Sequence, residues 1–359
     1  MRKVSNFMTK AGQTCAIFSF TTKKTYLCIN ESPTPNMNDN TAKTPLVSFI
    51  ITYHDEPVQW LRECLHSIFA LSLPDDEREI ILIDDGSELC PLDRIYEQRD
   101  AITYLRQRNM GLGVARNTGL TIATGRYIQF IDADDTLIPT GYEHCLDIVR
   151  FKQPDVVTFQ FSTTEGGVDT PYLFDGPVSG TEYIHNNNLR AAVWGYVFRR
   201  GILNSLRFTP GIVHEDEEFT PQLFLRAESV YSTDTSAYYY RQHANSIVHN
   251  TGRRAMVKRF ADAETIICHL NHLAQTLPVA ERTALSRRVA QLTMDHLYNI
   301  IMQTQSAHQL ETRIARLEKQ GLFPLPEKGY TAKYRLFSKL VRTKTGRRTL
   351  LALLPRLKK

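Results

Sequence analysis

The chain has six cysteines, Cys15, Cys28, Cys64, Cys90, Cys145 and Cys268, and no two form a CxxC pair. That excludes the usual spacing of a zinc site and the dense framework of a small disulfide scaffold, leaving free thiols in a reducing compartment as the default. No apolar run approaches the length that spans a bilayer. Cys15 to Phe20 follows a basic start but is too short and broken for a signal-peptide core. No internal repeat is visible. From Lys328 to Lys359 there is no acidic residue against eleven Lys or Arg, so the overall net charge of +5 leaves about −6 for the rest of the chain by formal counting. The body is mildly acidic and its last segment strongly basic.

A length of 359 residues, 42% of them hydrophobic, allows two or three packed units. Residues 1–44 turn polar after Phe20 and read as a disordered arm, with Met37 a candidate start just ahead of the first buried run. Val47 to Thr52 (VSFIIT) and Glu79 to Ile83 (EIILI) are continuous apolar runs, as strands buried on both faces require. Ile102 to Leu105, Tyr127 to Ile131 and Val156 to Phe161 read as further strands. Helices are expected from Pro57 through VQWLRECLHSIFAL, near Leu92 to Gln98, over Gly111 to Thr124 and over 139–151. Alternating strands and helices imply an α/β fold with a mostly parallel sheet flanked by helices. Ligands of such sheets bind beyond the carboxyl ends of the strands. Polar clusters fall at those ends: Thr52 to Glu56, Asp84 to Ser87, and Asp132 to Asp135.

The densest cluster holds Asp132, Asp134 and Asp135 within four residues. Carboxylates so close repel one another unless a cation, a ligand hydroxyl or a base shares the charge. Asp-x-Asp at a strand end suits Mg²⁺ or Mn²⁺ carrying a diphosphate; an acidic helix cap is the competing reading. Asp84-Asp85-Gly86-Ser87 reads equally as a turn or as a contact to a base or ribose. Gly111-Leu-Gly113 is not a dinucleotide fingerprint, because Arg116 stands where a small residue is needed. Glu215-Asp216, in HEDEEF, reads as a solvated helix start or as a general base. Trp194 is a core residue by default. Arg241 and His243 read as surface residues or as cations beside a departing diphosphate.

In their order, VSFIIT, EIILIDDGS, NMGLGVARNTGL with TGRYIQFIDADD, VWGYVFRR and HEDEEF resemble glycosyltransferase family 2, inverting nucleotide-sugar transferases of the GT-A fold, over residues 46–250. The resemblance implies a nucleotide-sugar site of Thr52, Asp85, Asp132, Arg116, Trp194, Arg241 and His243, with Thr52 and Asp85 at the base. It implies a metal, Mn²⁺ or Mg²⁺, on Asp134 with Asp132 nearby, and catalysis by Asp216 with Glu215 beside it. The loop Thr52-Tyr53-His54-Asp55 departs from the family's Pro-x-Tyr-Asn. The implied domains are a GT-A domain at 45–250, split into a nucleotide-sugar half at 45–135 and an acceptor half at 136–250. A helical extension at 251–327 and a basic amphipathic tail at 328–359 follow. The expected activity is transfer from a nucleotide-diphosphate donor, with a lean to UDP, to a glycan or lipid-linked acceptor in bacterial surface polysaccharide synthesis.

The tail places Leu336, Phe337, Leu340 and Val341 on one helical face among basic residues, which suits an anionic membrane surface, or else packing onto the rest of the protein. The expected location is cytoplasmic, peripheral on the inner face of the cell membrane. No nucleic-acid partner is expected, since no recognition motif accompanies the basic tail. Two other functions compete: a non-catalytic nucleotide-sugar-binding scaffold, which has no use for a base at Asp216, and a nucleotidyltransferase, which needs a glycine-rich basic loop where TYHDEP stands.

Overall fold

The computed structural model describes residues 4–8, 14–20, 23–28, 44–165, 172–243, 252–327 and 330–357, of which the first three segments are described as backbone only. The chain forms two compact units. The first comprises residues 1–179, 191–211 and 226–244; the second comprises 180–190, 212–225 and 245–359.

The first unit is built on one sheet. Its strands are β1 (Val4–Met8), β2 (Thr14–Phe20), β3 (Lys23–Cys28), β4 (Val47–Tyr53), β5 (Arg78–Asp84), β6 (Ile102–Arg106), β7 (Tyr127–Asp132), β8 (Thr136–Leu137), β9 (Val156–Ser162), β10 (Phe174–Val178), β11 (Tyr196–Arg199) and β12 (Val230–Tyr239). The order is β1-β2-β3-β6-β5-β4-β7-β11-β9-β12-β10, with β8 paired to β12. The centre, β6-β5-β4-β7, is parallel, and every residue of β4 is buried. This is why VSFIIT has no polar alternation: both faces are covered. β11 runs antiparallel between β7 and β9.

Helices α1 (Val58–Phe69), α2 (Leu112–Ile122) and α3 (Pro139–Lys152) supply the crossovers. The chain winds outward from β4 through β5 to β6 and then returns to β7 on the other side of β4. A crevice opens at such a reversal, beyond the carboxyl ends of the two central strands. Register sets Thr52 opposite Asp132 and Tyr53 opposite Asp84.

Two expectations change in this unit. The helix expected near Leu92 to Gln98 is a pair of 3₁₀ turns, Leu92–Arg94 and Arg99–Ala101. Between Leu92 and Gln98 only Ile95 is fully buried, too little apolar surface to fix a longer helix. The arm expected to be disordered carries β1 to β3, because the edge of β6 offers backbone partners that β3 takes up at Tyr26 and Leu27.

The second unit is helical: α4 (Gly180–Asn186), α5 (Asp216–Phe224), α6 (Arg253–Thr276), α7 (Val279–Thr304), α8 (Ala307–Lys319), α9 (Ala332–Val341) and α10 (Lys344–Leu357). It departs from the linear division expected at residue 250, since two earlier segments pack with the late helices. Arg287 of α7 donates to the carbonyls of Ile184 and Asn187, and Arg288 pairs with Glu217. The tail is part of this unit as well. Tyr334, Phe337 and Val341 are buried in its core and Leu340 packs against it, while Leu336 is exposed. The apolar face expected to meet a membrane is thus spent on packing, the other reading of that face. Among the described residues no helix is long and apolar enough to cross a membrane.

Glu264 anchors α6 to α7 and α8. It accepts a hydrogen bond from Arg313 Nη1 at 2.7 Å and lies 3.3 Å from His296 Nε2. Burial pushes its pKa up, but His296 and Arg313 outweigh that, and the net shift is below the ordinary 4.5. A lowered carboxylate pKa gives stability that is present above the unfolded value and lost as pH falls through the folded one. Glu264→Gln should cost about 1–3 kcal/mol at neutral pH and flatten the loss of stability on acidification below about pH 5. Urea midpoints across pH test this; parallel pH profiles for the two proteins would contradict it.

Candidate functional site

Three loops meet at the carboxyl end of the sheet, and polar side chains tie them together. Asp84, fully buried, accepts from Tyr104 Oη at 2.7 Å and from the amide of Ser87 at 2.8 Å. Asp55 takes φ 60°, accepts from the amide of Glu88 at 2.7 Å, and its own amide donates to Ser87 Oγ. Asn109 Nδ2 lies 3.0 Å from His54 Nε2. Gly86 sits at φ 82°, where a Cβ would come 2.6 Å from the amide nitrogen of Asn109, so the approach of these two loops requires glycine.

Asp85 is the clasp of this arrangement. One oxygen accepts from Gln107 Nε2 at 2.7 Å and from the amide of Met110 at 2.9 Å; the other accepts from the amide of Gly111 at 2.7 Å. Three of its roughly four acceptor sites are thus taken by the loop that starts α2. The residue expected at the base thus shapes the loop, in keeping with the turn reading of Asp84 to Ser87.

The acidic group lies at the end of β7. Arg116, buried in α2, donates from Nη2 to Asp132 Oδ1 at 2.9 Å, and its guanidinium lies over the rings of Phe130 and Phe208. The Asn117 side-chain amide holds the backbone of Phe208 by a reciprocal pair, donating from Nδ2 to its carbonyl at 2.8 Å and accepting at Oδ1 from its amide at 2.9 Å. Asp134 Oδ2 is 2.7 Å from His243 Nε2. Asp135 is almost fully buried and accepts from Tyr238 Oη and from the amide of Arg241, both at 2.8 Å. Tyr238 Oη in turn accepts from the amide of Asp132 at 3.2 Å, so one hydroxyl bridges both ends of the acidic turn.

Arg241 donates from Nε to the carbonyl of Asp134 at 2.8 Å and from Nη2 to Glu63 at 2.6 Å, with its plane over Trp60 and Tyr239. His243 also packs on Trp60, with ring centres 4.8 Å apart. Trp194 stacks on Tyr238 at 4.6 Å and on Tyr240 at 5.7 Å, continuing the aromatic wall from the acidic turn.

The electrostatics reflect crowding. Burial, with Asp134 and Asp132 adding, pushes Asp135 up to about 9. Burial and then Asp132 raise Asp134, while His243 pulls it down. Burial, with Asp134 and Asp132 contributing, also lifts Glu56 up to about 7 against the pull of backbone hydrogen bonds. Glu56, Glu63, Trp60 and Tyr238 are site residues that no motif marks. Their signal is positional: α1 begins directly after β4, and the Tyr-Tyr-Tyr run leads to Arg241.

The expected residues of the first unit thus converge: Thr52, Asp85, Arg116, Asp132, Asp134, Trp194, Arg241 and His243. Glu215 and Asp216 belong to the second unit. Glu215 is buried and Asp216 is half-buried at the start of α5, where its Oδ1 accepts from the amide of Glu217 at 3.0 Å.

Among the described residues no three His, Cys, Asp or Glu side chains converge as a self-sufficient metal cage would require. The donor set fits the other mode of binding, in which Mg²⁺ or Mn²⁺ is held by one or two carboxylates plus the phosphates of a ligand. Asp134 and Asp132 are such a pair, and burial together with the charge of Asp132 raises the pKa of Asp134.

Residues 48–202 match the model of glycosyl transferase family 2. The uncharacterized glycosyltransferase EpsJ of Bacillus subtilis is 32% identical over 229 residues, 59% of this chain and 65% of that protein. The uncharacterized glycosyltransferase YibD of Escherichia coli is 29% identical over 212 residues, 54% of this chain and 61% of that protein. The chain thus spans under two thirds of the length of either relative. The crystal structure of S. aureus TarS 1-349 in complex with UDP-GlcNAc superposes with a TM-score of 0.66 at 17% identity, covering 87% of this chain and 92% of that one. That likeness is one of fold, and the fold is GT-A. The family match contains every expected site residue of the first unit up to Trp194 and stops short of Asp216, Arg241 and His243.

Asp85→Ala should leave the amides of Met110 and Gly111 without their acceptor and destabilise the protein by about 1–3 kcal/mol. The urea midpoint reads this directly; a change below about 0.5 kcal/mol would show that Asp85 is no clasp.

Proposed function

We propose that this chain, a member of glycosyl transferase family 2 through residues 48–202, is a glycosyltransferase that moves a sugar from a nucleotide-diphosphate donor to a hydroxyl of a glycan or lipid-linked acceptor in polysaccharide synthesis. The observation that carries this reading is the acidic group Asp132, Asp134 and Asp135 at the β4–β7 reversal, inside the family match. Uridine is the proposed nucleotide, supported by the fold shared with TarS, which was crystallised with UDP-GlcNAc and with UDP. Thr52 and the loops clasped by Asp85 would border the base.

The reaction proposed is a single displacement at the anomeric carbon, with inversion. Asp134, with Asp132 nearby, would hold Mn²⁺ or Mg²⁺, which supplies charge compensation for the departing diphosphate when bound. Arg116 fixes the Asp132 carboxylate, and His243 fixes that of Asp134. Arg241 adds positive charge beside the acidic turn, where charge develops on a leaving diphosphate. Asp216 takes the proton from the attacking hydroxyl, with Glu215 beside it.

Replacing the base should separate chemistry from donor binding. Asp216→Asn is expected to lower transfer from UDP-sugar by at least about 10²-fold while UDP affinity stays within about twofold. Sugar transfer at the wild-type rate by Asp216→Asn would remove Asp216 from the role of base.

A further inference from the structure

The second unit contains a cavity of about 320 Å³ between the start of α5, α6 and α7. Its polar lining includes Glu217, Arg259, Asp295, His296, Asn299 and Gln303, and its apolar lining includes Phe260, whose ring packs edge-on against His296, and Leu292. Asp295, Asn299 and Gln303 are four residues apart in sequence, so α7 presents them as one polar stripe along the cavity. His214, also in the lining, directly precedes Glu215-Asp216 and takes the left-handed φ of 64°, uncommon for a residue with a side chain. Nothing in the glycosyltransferase reading uses this cavity, which lies outside residues 48–202.

Its chemistry narrows what it can hold. Glu217 is already paired with Arg288. Asp295 is exposed to solvent; partial burial raises its pKa, Arg288 pulls it down, and Glu217 pushes it up. Glu217 and Asp295 are matched by Arg259 and Arg288, so the site carries no net formal charge to select an anion or a cation. Two carboxamides add donors and acceptors in equal measure. An apolar floor with a few convergent polar groups of both kinds suits a neutral, compact ligand rich in hydroxyls, and the volume lies at the small end of ligand pockets.

We infer that this cavity is an acceptor subsite that binds one neutral sugar residue of a glycan, placed on the same unit as Asp216. The inference rests on the transferase reading, which supplies the need for an acceptor hydroxyl near the base. The stripe on α7 grips the ring hydroxyls, Phe260 covers an apolar face, and the Glu217 end leads to the helix start that bears Asp216.

The test uses the full chain without donor or metal, so that it does not depend on the donor site. Saturation-transfer NMR is run with methyl glucoside, methyl galactoside and methyl N-acetylglucosaminide as probes. At least one should bind, and Ala263→Phe, which fills the cavity, should raise its dissociation constant at least tenfold. Asn299→Leu, on an exposed helix position, should do the same with the melting temperature unchanged, which guards against a folding defect in the first variant. Binding that survives Asn299→Leu, or no binding of any probe to the wild-type chain, overturns the inference. UDP binding measured separately on the same proteins with Mn²⁺ added separates the two readings: a chain that binds UDP but no glycoside loses the subsite alone, and one that binds a glycoside but no nucleotide loses the donor reading alone.

Discussion

Three carboxylates in four residues at the end of a buried strand set the terms for everything around them. In water they would repel weakly; at the closed end of a parallel sheet their mutual repulsion grows as the surrounding dielectric falls. The chain answers with specific partners, each drawn from a different element. Arg116 of α2 takes Asp132, Tyr238 of β12 and the amide of Arg241 take Asp135, and His243 takes Asp134. Those contacts in turn fix the positions of α2, the end of β12 and the segment after it. The acidic turn organises the first unit and leaves Asp134 raised in pKa, a state that a divalent cation would relieve.

Rigidity at the neighbouring loops follows from the same economy of polar groups. Asp84, Asp85 and Asp55 each satisfy amides that no strand or helix can reach, so the loops after β4 and β5 and before α2 are held without regular structure. Walls held in this way are preorganised, and a ligand entering the crevice would not have to order these loops. Trp60 packs on His243 and Arg241, and Trp194 stacks on Tyr238 and Tyr240, so aromatic rings back the residues that hold the acidic turn.

Much of this architecture is legible in the amino-acid order alone. The central strands declare themselves because burial on both faces leaves no room for polar alternation, and the clusters at their ends locate the crevice. Arg116, Asp132 and Asp134 stand out for the same reason: each is a charge in a stretch otherwise built for burial. What stays hidden depends on contacts remote in sequence. Nothing local says that Asp85 clasps the loop at Gly111, that Glu63 of α1 pairs with Arg241, or that Phe337 and Val341 turn inward and are not free to meet a membrane. An amphipathic face is the same pattern whether a lipid or a helix covers it. The stripe Asp295, Asn299, Gln303 is periodic in the sequence, yet it acquires meaning only beside Phe260 and Glu217.

The claim that the crevice at β4 and β7 receives a nucleotide diphosphate with a divalent cation is tested most directly by the melting temperature of the full chain with UDP, GDP, CDP or ADP, each with and without Mn²⁺. A ligand that binds the native state alone raises that temperature. The account predicts a rise with UDP that appears only when Mn²⁺ is present. No metal-dependent rise with any of the four nucleotides would contradict it.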